Sequence, residues 1–501
     1  MKIAIVGGGT SGWIASFILS TIRKEHEYIN ISSSDIPIIG VGEGTTGKFL
    51  DIFRAPIYNI NINQMMVEID ALPKLGIKFN NWSDRGDYYS PIDGSISHNY
   101  YIDYAIFSSI LLDYPLEKTS VCGTLISNKK TNFYSVENNI KNDVMNHALH
   151  IDAYKTSEFF KKRAIQNNVN HLDNSIKNVV VKNDQIDSLI LDNGEAITAD
   201  FYIDCSGFSR VLSKNLSDTG WVDYSDHLLV DSAITFSFDE DEESSIRTEY
   251  TVAQAMNSGW VWEIPTRNKI GRGYIYCSKY TKEEDIIFEL EQRYKKEITK
   301  GKHIEFKSGR VEKFINHNCL SLGLSGAFLE PLQATSIHST IIQLEEFAYS
   351  FLSDDDLIND QILVQNYNKR FCNFYDDIRD FIFVHYTGGK QNTEFWKQVS
   401  KINPPEQVKT ILHLASSRLT RSYDFKFYYG AMDQTLWNYT LAGLGHFPKQ
   451  TIQKVFNHDM VDLDQYLTTL KIHDIKITDS TKRNLSADQL NHILSTGSVS
   501  E

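Results

Sequence analysis

The chain has 501 residues, 41% of them hydrophobic and 12% aromatic, with 26 Tyr, 27 Phe and 7 Trp. This is material for two or three domains with substantial cores and an aromatic-lined pocket. The formal net charge of −14 is spread along the chain without a basic stripe, which argues against a nucleic-acid partner and favours solubility.

The five cysteines, Cys122, Cys205, Cys277, Cys319 and Cys372, lie far apart with no CxxC pair. They read as reduced core thiols rather than a disulfide framework, and no metal site is expected. Three glycines interrupt the apolar start after Val6, too early for a signal-peptide core. No apolar run reaches the length of a membrane span, so a soluble, cytoplasmic protein without a membrane partner is expected.

Lys2 to Val6 is a β-branched run that predicts a strand, Ser11 to Ile22 predicts a helix, and Asn30 to Ser33 predicts a second strand. Between the first two lies Gly7-x-Gly9-x-x-Gly12, the spacing that lets backbone N–H groups, here including those of Thr10 and Ser11, approach a pyrophosphate. The plainer reading is a glycine-rich turn without a ligand. An acidic residue usually follows about 20 positions on, to hold a ribose. Ser32, Ser33 and Ser34 stand there instead, with Asp35 just beyond. Ser32 is still able to hydrogen-bond a ribose hydroxyl, without the strength of a charged acceptor.

The next segment, Gly40-Val41-Gly42-Glu43-Gly44-Thr45-Thr46, has glycines that permit close backbone approach to a ligand, although an ordinary loop has the same composition. Leu72 to Trp82 carries two lysines, Lys74 and Lys78, and an unassigned lysine is ordinarily a solvated surface residue. His150-x-Asp152-Ala153 opens a helix predicted over Asp152 to Gln166, where Asp152 suits a cap. Ile176 to Ile190 and Ala196 to Ile203 read as strands around the turn Asp192-Asn193-Gly194, ahead of Asp204-Cys205-Ser206-Gly207-Phe208. Residues 226 to 315 are mostly strand-like, including Ser232 to Phe238 and Gly273 to Cys277, and contain Trp260-x-Trp262-x-Ile264-Pro265. Gly326-Ala327-Phe328-Leu329-Glu330-Pro331-Leu332 follows, and from Ile337 to about His473 the pattern is mainly helical. Asp474 to Glu501 is polar and expected to be mobile, apart from a short helix near Asp488 to Leu494.

In this order and spacing the glycine fingerprint, the Gly40–Thr46 segment, the His150, Asp204 and Gly326 motifs and the paired tryptophans resemble the flavin-dependent tryptophan halogenase family over about residues 1 to 450. The resemblance implies an α/β fold: an FAD-binding, monooxygenase-like Rossmann-type domain with a mixed sheet over the flavin, and a mainly helical substrate domain. The expected boundaries are 1–350 for the FAD domain, with a substrate-side insertion around 80–145, then 351–475 for the helical domain and 476–501 for the tail. It further implies an enzyme that takes reduced FAD from a separate reductase and uses O2 and a halide (chloride, bromide or iodide) to make hypohalous acid. A lysine passes this oxidant to an aromatic small molecule.

On this resemblance the cofactor-binding residues are Gly7, Gly9, Thr10, Ser11, Gly12, Ser32, Gly40, Val41, Gly42, Glu43, Asp204, Leu324 and Ile337. Trp260, Trp262 and Pro265 would wall the flavin from the substrate, whereas the residues alone suggest a core tryptophan pair. The family's lysine precedes the Lys78-Phe79-x-x-Trp82 run, so it falls on Lys74. Burial near an apolar tunnel would lower its pKa. Thr335 and Ser336 would offer N–H groups to a halide. Tyr428, Tyr429 and Trp437 fall in the aromatic stretch facing the substrate, where helix packing is an equal reading.

One position departs from the pattern. Family members carry a glutamate after Glu330-Pro331-Leu332, and this chain has Gln333. Glutamine cannot accept the proton released when the ring rearomatises, though it can hydrogen-bond the oxidant or orient Lys74. Slow turnover, electron-rich rings and the heavier halides are therefore expected. The residues that clamp the amino-acid head of tryptophan are not recognised, so an indole- or phenol-like ring is expected ahead of free tryptophan. The competing readings are a hydroxylating monooxygenase on the same scaffold and a catalytically weak flavin-binding protein; a homo-oligomer is left open.

Overall fold

The computed structural model describes residues 1–38, 40, 42–83, 85–92, 99–136, 139–142, 147–238, 247–425, 432–458, 468 and 482–496. The chain divides into two compact units, each assembled from three separated segments: 1–70, 151–225 and 306–376 in the first, and 71–150, 226–305 and 377–501 in the second. The expected boundary at residue 350 is not a boundary of these units.

The first unit is built on a six-stranded sheet in the spatial order Asn170–Asp173, Glu27–Ser32, Lys2–Val6, Phe201–Asp204, Cys319–Ser321 and Ile315–Asn316. The first five run parallel and the last closes an antiparallel hairpin. A parallel sheet is covered on both faces, which explains the uninterrupted apolar run of the first strand: Ile3, Ala4 and Ile5 are wholly buried. The helix Thr10–Ile22 follows at once, packed against the helices Ala153–Gln166 and Thr335–Ser350. Phe17, Phe53 and Phe160 form an aromatic knot there, Phe53 and Phe160 lying 4.7 Å apart.

A small antiparallel sheet, Ile176–Lys182, Gln185–Leu191 and Ala196–Ile197, packs Leu189 and Leu191 onto Ala4 and Ile31. Here the sequence reading merged two strands. The turn it passed over is Asn183-Asp184, both in the left-handed region at φ 52° and 60°, a conformation that Asn and Asp adopt more readily than other side chains and that a tight hairpin requires.

The second unit is organised by a seven-stranded sheet ordered Thr299–Glu305, Ser232–Ser237, Ile270–Tyr276, Gly259–Pro265, Thr251–Met256, Gly76–Ser83 and Gly86–Pro91. Its last two strands make residues 76–91 integral to the sheet. Short strands Leu72–Lys74 and Ala148–Ile151 pair antiparallel, Leu72 opposite His150 and Lys74 opposite Ala148. Helices Glu394–Val399, Glu406–Ser417 and Gln434–Leu444 give the helical pattern expected of this region.

Near the C-terminus the short helix expected near Asp488 to Leu494 is present. The helix Ala487–Thr496 buries Ala487, Leu490 and Leu494. Arg267 holds it, donating to Asn491 Oδ1 at 2.9 Å and Ser495 Oγ at 2.8 Å, while Asn491 returns a bond to the Arg267 carbonyl at 3.1 Å. Among the described residues no helix is long and apolar enough to cross a membrane, and no group of three His, Cys, Asp or Glu side chains is placed to hold a metal ion.

Candidate active site

In the first unit, the glycine fingerprint occupies the turn between the first strand and the first helix. A Cβ on Gly7 would lie 2.2 Å from the Cys205 carbonyl oxygen, and one on Gly12 would lie 2.1 Å from that of Gly7. These two glycines let the turn and the helix start pass at backbone contact. Gly9 is different: nothing lies within 4 Å of its missing Cβ. It caps a helix whose first turn has no side-chain cap, so no capping side chain takes up the N–H groups around Thr10 and Ser11. An anion, and specifically the pyrophosphate of a dinucleotide, satisfies such a helix start. The residues present therefore fit FAD. Ser157 Oγ fixes the loop by donating to the Gly8 carbonyl at 2.9 Å.

Around this cradle the same unit brings together most of the other expected cofactor residues. Gly323, at φ 61°, opens the turn Gly323–Ser325 that carries Leu324, and a Cβ there would meet Ser11 Oγ at 2.5 Å. Gly40 lies close to Glu43, 3.2 Å separating its absent Cβ from Glu43 Oε1. Burial, and secondarily the Asp152 carboxylate, push Glu43 up to about 7. Asp152 itself acts as the cap its spacing suggested, accepting from Lys155 N at 2.8 Å. Thr46, at the end of the glycine-rich segment, bonds His338 Nδ1 at 2.7 Å and ties that segment to the helix Thr335–Ser350. Burial lowers His338 to about 4, so its ring is neutral. Val41 lies outside the described residues.

Asp204 ends its strand beneath the loop that follows. It is wholly buried, and its carboxylate accepts five bonds from the protein: Ser206 N, Ser206 Oγ and Ser325 Oγ on Oδ1, Leu212 N and Ser213 N on Oδ2, all at 2.6–3.0 Å. A carboxylate satisfied in this way organises the loop that follows its strand.

The stretch after Glu330 forms a 3₁₀ turn, Pro331–Gln333, before Ala334 adopts a left-handed conformation at φ 56° and the helix begins at Thr335. Gln333 and Thr335 are buried, Ser336 is exposed and Ile337 is buried in the helix's packed face. Ala334 caps without a side-chain bond, so no capping side chain takes up the N–H groups of Thr335 and Ser336 at this helix start.

In the second unit the two lysines separate cleanly. Lys78 is about two-fifths exposed and sits 3.8 Å from Asp87. Lys74 is 1% exposed, and burial lowers it from 10.5 to about 7. Antiparallel register places His150 diagonally beside it on the neighbouring strand. The His150 ring is held by Thr251 Oγ1 at 2.9 Å. Its pKa is driven well down by burial first and by the Lys74 charge second.

Trp260 and Trp262 project from one face of the strand Gly259–Pro265, their rings 6.4 Å apart and tilted by 64°. Trp260 joins Trp82 at 6.2 Å, and Trp82 meets Trp396 at 5.6 Å. Trp262 lies across Gly273 of the next strand, where a Cβ would come within 2.0 Å of the indole. This rigid indole block is anchored by Trp82 Nε1 donating to the His385 carbonyl at 2.6 Å and Trp396 Nε1 to that of Met256 at 2.8 Å. Pro265 ends the strand. Trp437 is fully buried between Phe381 and Phe425, ring centroids 5.0 and 5.3 Å away. Tyr428 and Tyr429 lie outside the described residues.

One residue that the sequence reading passed over belongs with the cradle. His171, on the strand Asn170–Asp173, stands 3.1 Å from Ser32 Oγ. No motif marks it; only the parallel register, His171 opposite Asn30 and Asp173 opposite Ser32, brings it there.

A dinucleotide cradle on a parallel sheet, together with a second unit that buries a lysine of lowered basicity, defines a flavoprotein-type enzyme. The comparisons name the class. A family model described as tryptophan halogenase matches residues 2–459, and the chain belongs to that family of flavin-dependent oxidoreductases. It is 30% identical over 487 residues to tryptophan 7-halogenase RebH of Lentzea aerocolonigenes, covering 89% of this chain and 90% of the relative. Identity with tryptophan 6-halogenase ThaL of Streptomyces albogriseolus is 25% over 489 residues, 90% of each chain. In fold it is similar to Xcc4156, a flavin-dependent halogenase from Xanthomonas campestris, with a TM-score of 0.86 at 23% identity over 98% of this chain and 97% of the other.

Proposed function

We propose that the protein halogenates an electron-rich aromatic small molecule, indole- or phenol-like, and that Lys74 delivers the halogen. The observation that carries this reading is the contrast between its two candidate lysines: only Lys74 is buried, with its basicity lowered to about 7. An amine so poised is able to hydrogen-bond a neutral oxidant without being locked as an ammonium ion. Reduced FAD, received from a separate reductase, supplies with O2 and halide the hypohalous acid that Lys74 hands on.

The chain's own residues divide the remaining work. Gly7, Gly9 and Gly12 admit the pyrophosphate, and the first turn of the following helix binds it. The N–H groups of Thr335 and Ser336 hold the halide at a helix start, where the dipole favours an anion. The Trp260 and Trp262 indoles, with Pro265, form the wall between flavin and arene. Gln333 hydrogen-bonds the oxidant but accepts no proton, so release of the ring proton falls to solvent or substrate. The tryptophan specificity of the named relatives supports an indole-type ring.

The test is incubation with a flavin reductase, NADH, O2 and chloride, bromide or iodide against a panel of indoles and phenols, read by mass spectrometry. A halogenated product that disappears in Lys74→Ala is expected. Free hypohalous acid also halogenates unaided, so product unchanged in Lys74→Ala would refute delivery by this residue. Gln333→Glu should raise turnover on less nucleophilic rings, and an unchanged rate would sink the account of Gln333.

A further inference from the structure

We propose that Ser32 presents a fixed oxygen lone pair, and not its proton, to a ribose hydroxyl at the adenosine end of the cofactor, and that Asn30 and His171 set this polarity. The assignment rests on the reading that a dinucleotide lies in the glycine cradle. It answers how a neutral residue replaces the acid that usually ends the second strand.

The direction of each hydrogen bond follows from groups that have no choice. The Gly7 carbonyl only accepts, and the Asn30 amide lies 3.3 Å from it, so Nδ2 must face that side. Ser16 donates its own proton to the Gly12 carbonyl at 2.9 Å, leaving its oxygen to accept the second bond from Asn30 Nδ2 at 3.1 Å. With its nitrogen committed, Asn30 turns Oδ1 toward Ser32. The Ser32 hydroxyl donates to it at 2.9 Å.

That bond consumes the only proton Ser32 has. The contact between Ser32 Oγ and His171 Nε2, 3.1 Å, must then run the other way, with Nε2–H donating. Burial and the nearby Lys161 charge lower the His171 pKa, against the opposing pull of Asp173, the Ser32 backbone and Glu158. A neutral ring therefore carries its proton on Nε2. The edge of His171 is braced against the Trp13 indole at 5.0 Å.

Ser32 Oγ now has one lone pair taken by His171 and one left over. Ser32 is half-buried and borders the fingerprint: a Cβ on Gly8 would lie 2.9 Å from Ser32 Cβ and 3.2 Å from Oγ. The remaining lone pair accepts one ribose hydroxyl, the role a carboxylate plays for two. A serine free to rotate would offer a donor half the time. This one is locked as an acceptor by a relay running Gly12, Ser16, Asn30, Ser32, His171.

The test is competition of ADP, 2′-deoxy-ADP and 3′-deoxy-ADP against FAD, read by flavin fluorescence, for the wild type and Ser32→Ala. In the wild type, loss of the engaged hydroxyl should weaken binding about fivefold, the worth of one neutral hydrogen bond. In Ser32→Ala, ADP and that analogue should bind alike. An equal loss in both proteins, or none in either, overturns the assignment while leaving the cradle intact. Failure of FAD to bind the wild type would overturn the cofactor reading and this inference with it. A readout independent of any substitution at Ser32 is the imidazole ¹⁵N spectrum, with the His171 signals assigned through His171→Gln. The expected tautomer carries its proton on Nε2, and a proton on Nδ1 would refute the relay.

Discussion

Replacing Lys74 with methionine should make the protein more stable at neutral pH while abolishing halogen transfer. Burial lowers this lysine from 10.5 to about 7, equivalent to a cost of about 5 kcal/mol for carrying its charge in the folded state. Between those two pH values the unfolded chain binds a proton that the folded chain does not, so stability rises with pH across the window. The full penalty is present below about pH 7 and is gone above about 10.5. Methionine fills similar volume with no charge to bury. Lys74→Met should therefore exceed the wild type by several kcal/mol at pH 6–7, and the gap should close by pH 10–11. Denaturant unfolding of both proteins across pH 6–11, with halogenation assayed on the same samples, measures this. A stability difference independent of pH, or a Met variant that is less stable at pH 6, would refute the buried-charge account of Lys74.

Lys78→Ala is the matching control: its ammonium is exposed beside Asp87, so stability should shift by less than about 0.5 kcal/mol and halogenation should stay within about twofold. Gly12→Ala forces a Cβ to 2.1 Å from the Gly7 carbonyl oxygen; FAD titration should show lost affinity, accompanied by a lower melting temperature. Arg267→Ala removes two donors to the C-terminal helix and leaves that from Arg247 to Asp488. It should expose residues 487–496 to limited proteolysis and cost about 1–3 kcal/mol, and an unchanged digestion pattern would count against that anchor.

The strongly patterned parts of the fold were legible in the sequence. The strand Lys2–Val6, the fingerprint and the helix after it follow from apolar runs and glycine spacing, and local chemistry fixes both. The choice of Lys74 over Lys78 came from the family resemblance, and the structure separates the two by burial. Relations between distant segments were not legible. The resemblance implied a boundary at 350, whereas each unit is drawn from three segments; in the first, a parallel sheet takes neighbours far apart in the chain. For Trp437 the sequence left pocket lining and helix packing equal, because aromatic composition does not tell a lining from a core. The hydrogen bonds that hold Asp204 were not legible because its five protein donors come from residues 206 to 325. His171 was invisible for the same reason, being next to Ser32 only through strand register.

The three-segment construction of the first unit also sets a schedule. Lys2–Val6 lies between Glu27–Ser32 and Phe201–Asp204, and beyond these stands Cys319–Ser321. During synthesis the opening strand can find its first neighbour at once, its second only after about 200 residues, and the completed sheet only after about 320. At roughly 5–20 residues per second this is an interval of about 15–60 s. For about the first 10–40 s of it the glycine turn exists without the Cys205 backbone that closes against Gly7. A cofactor that needs that closure can load only late, and the nascent chain must keep a β-branched apolar strand from pairing elsewhere until its partners arrive.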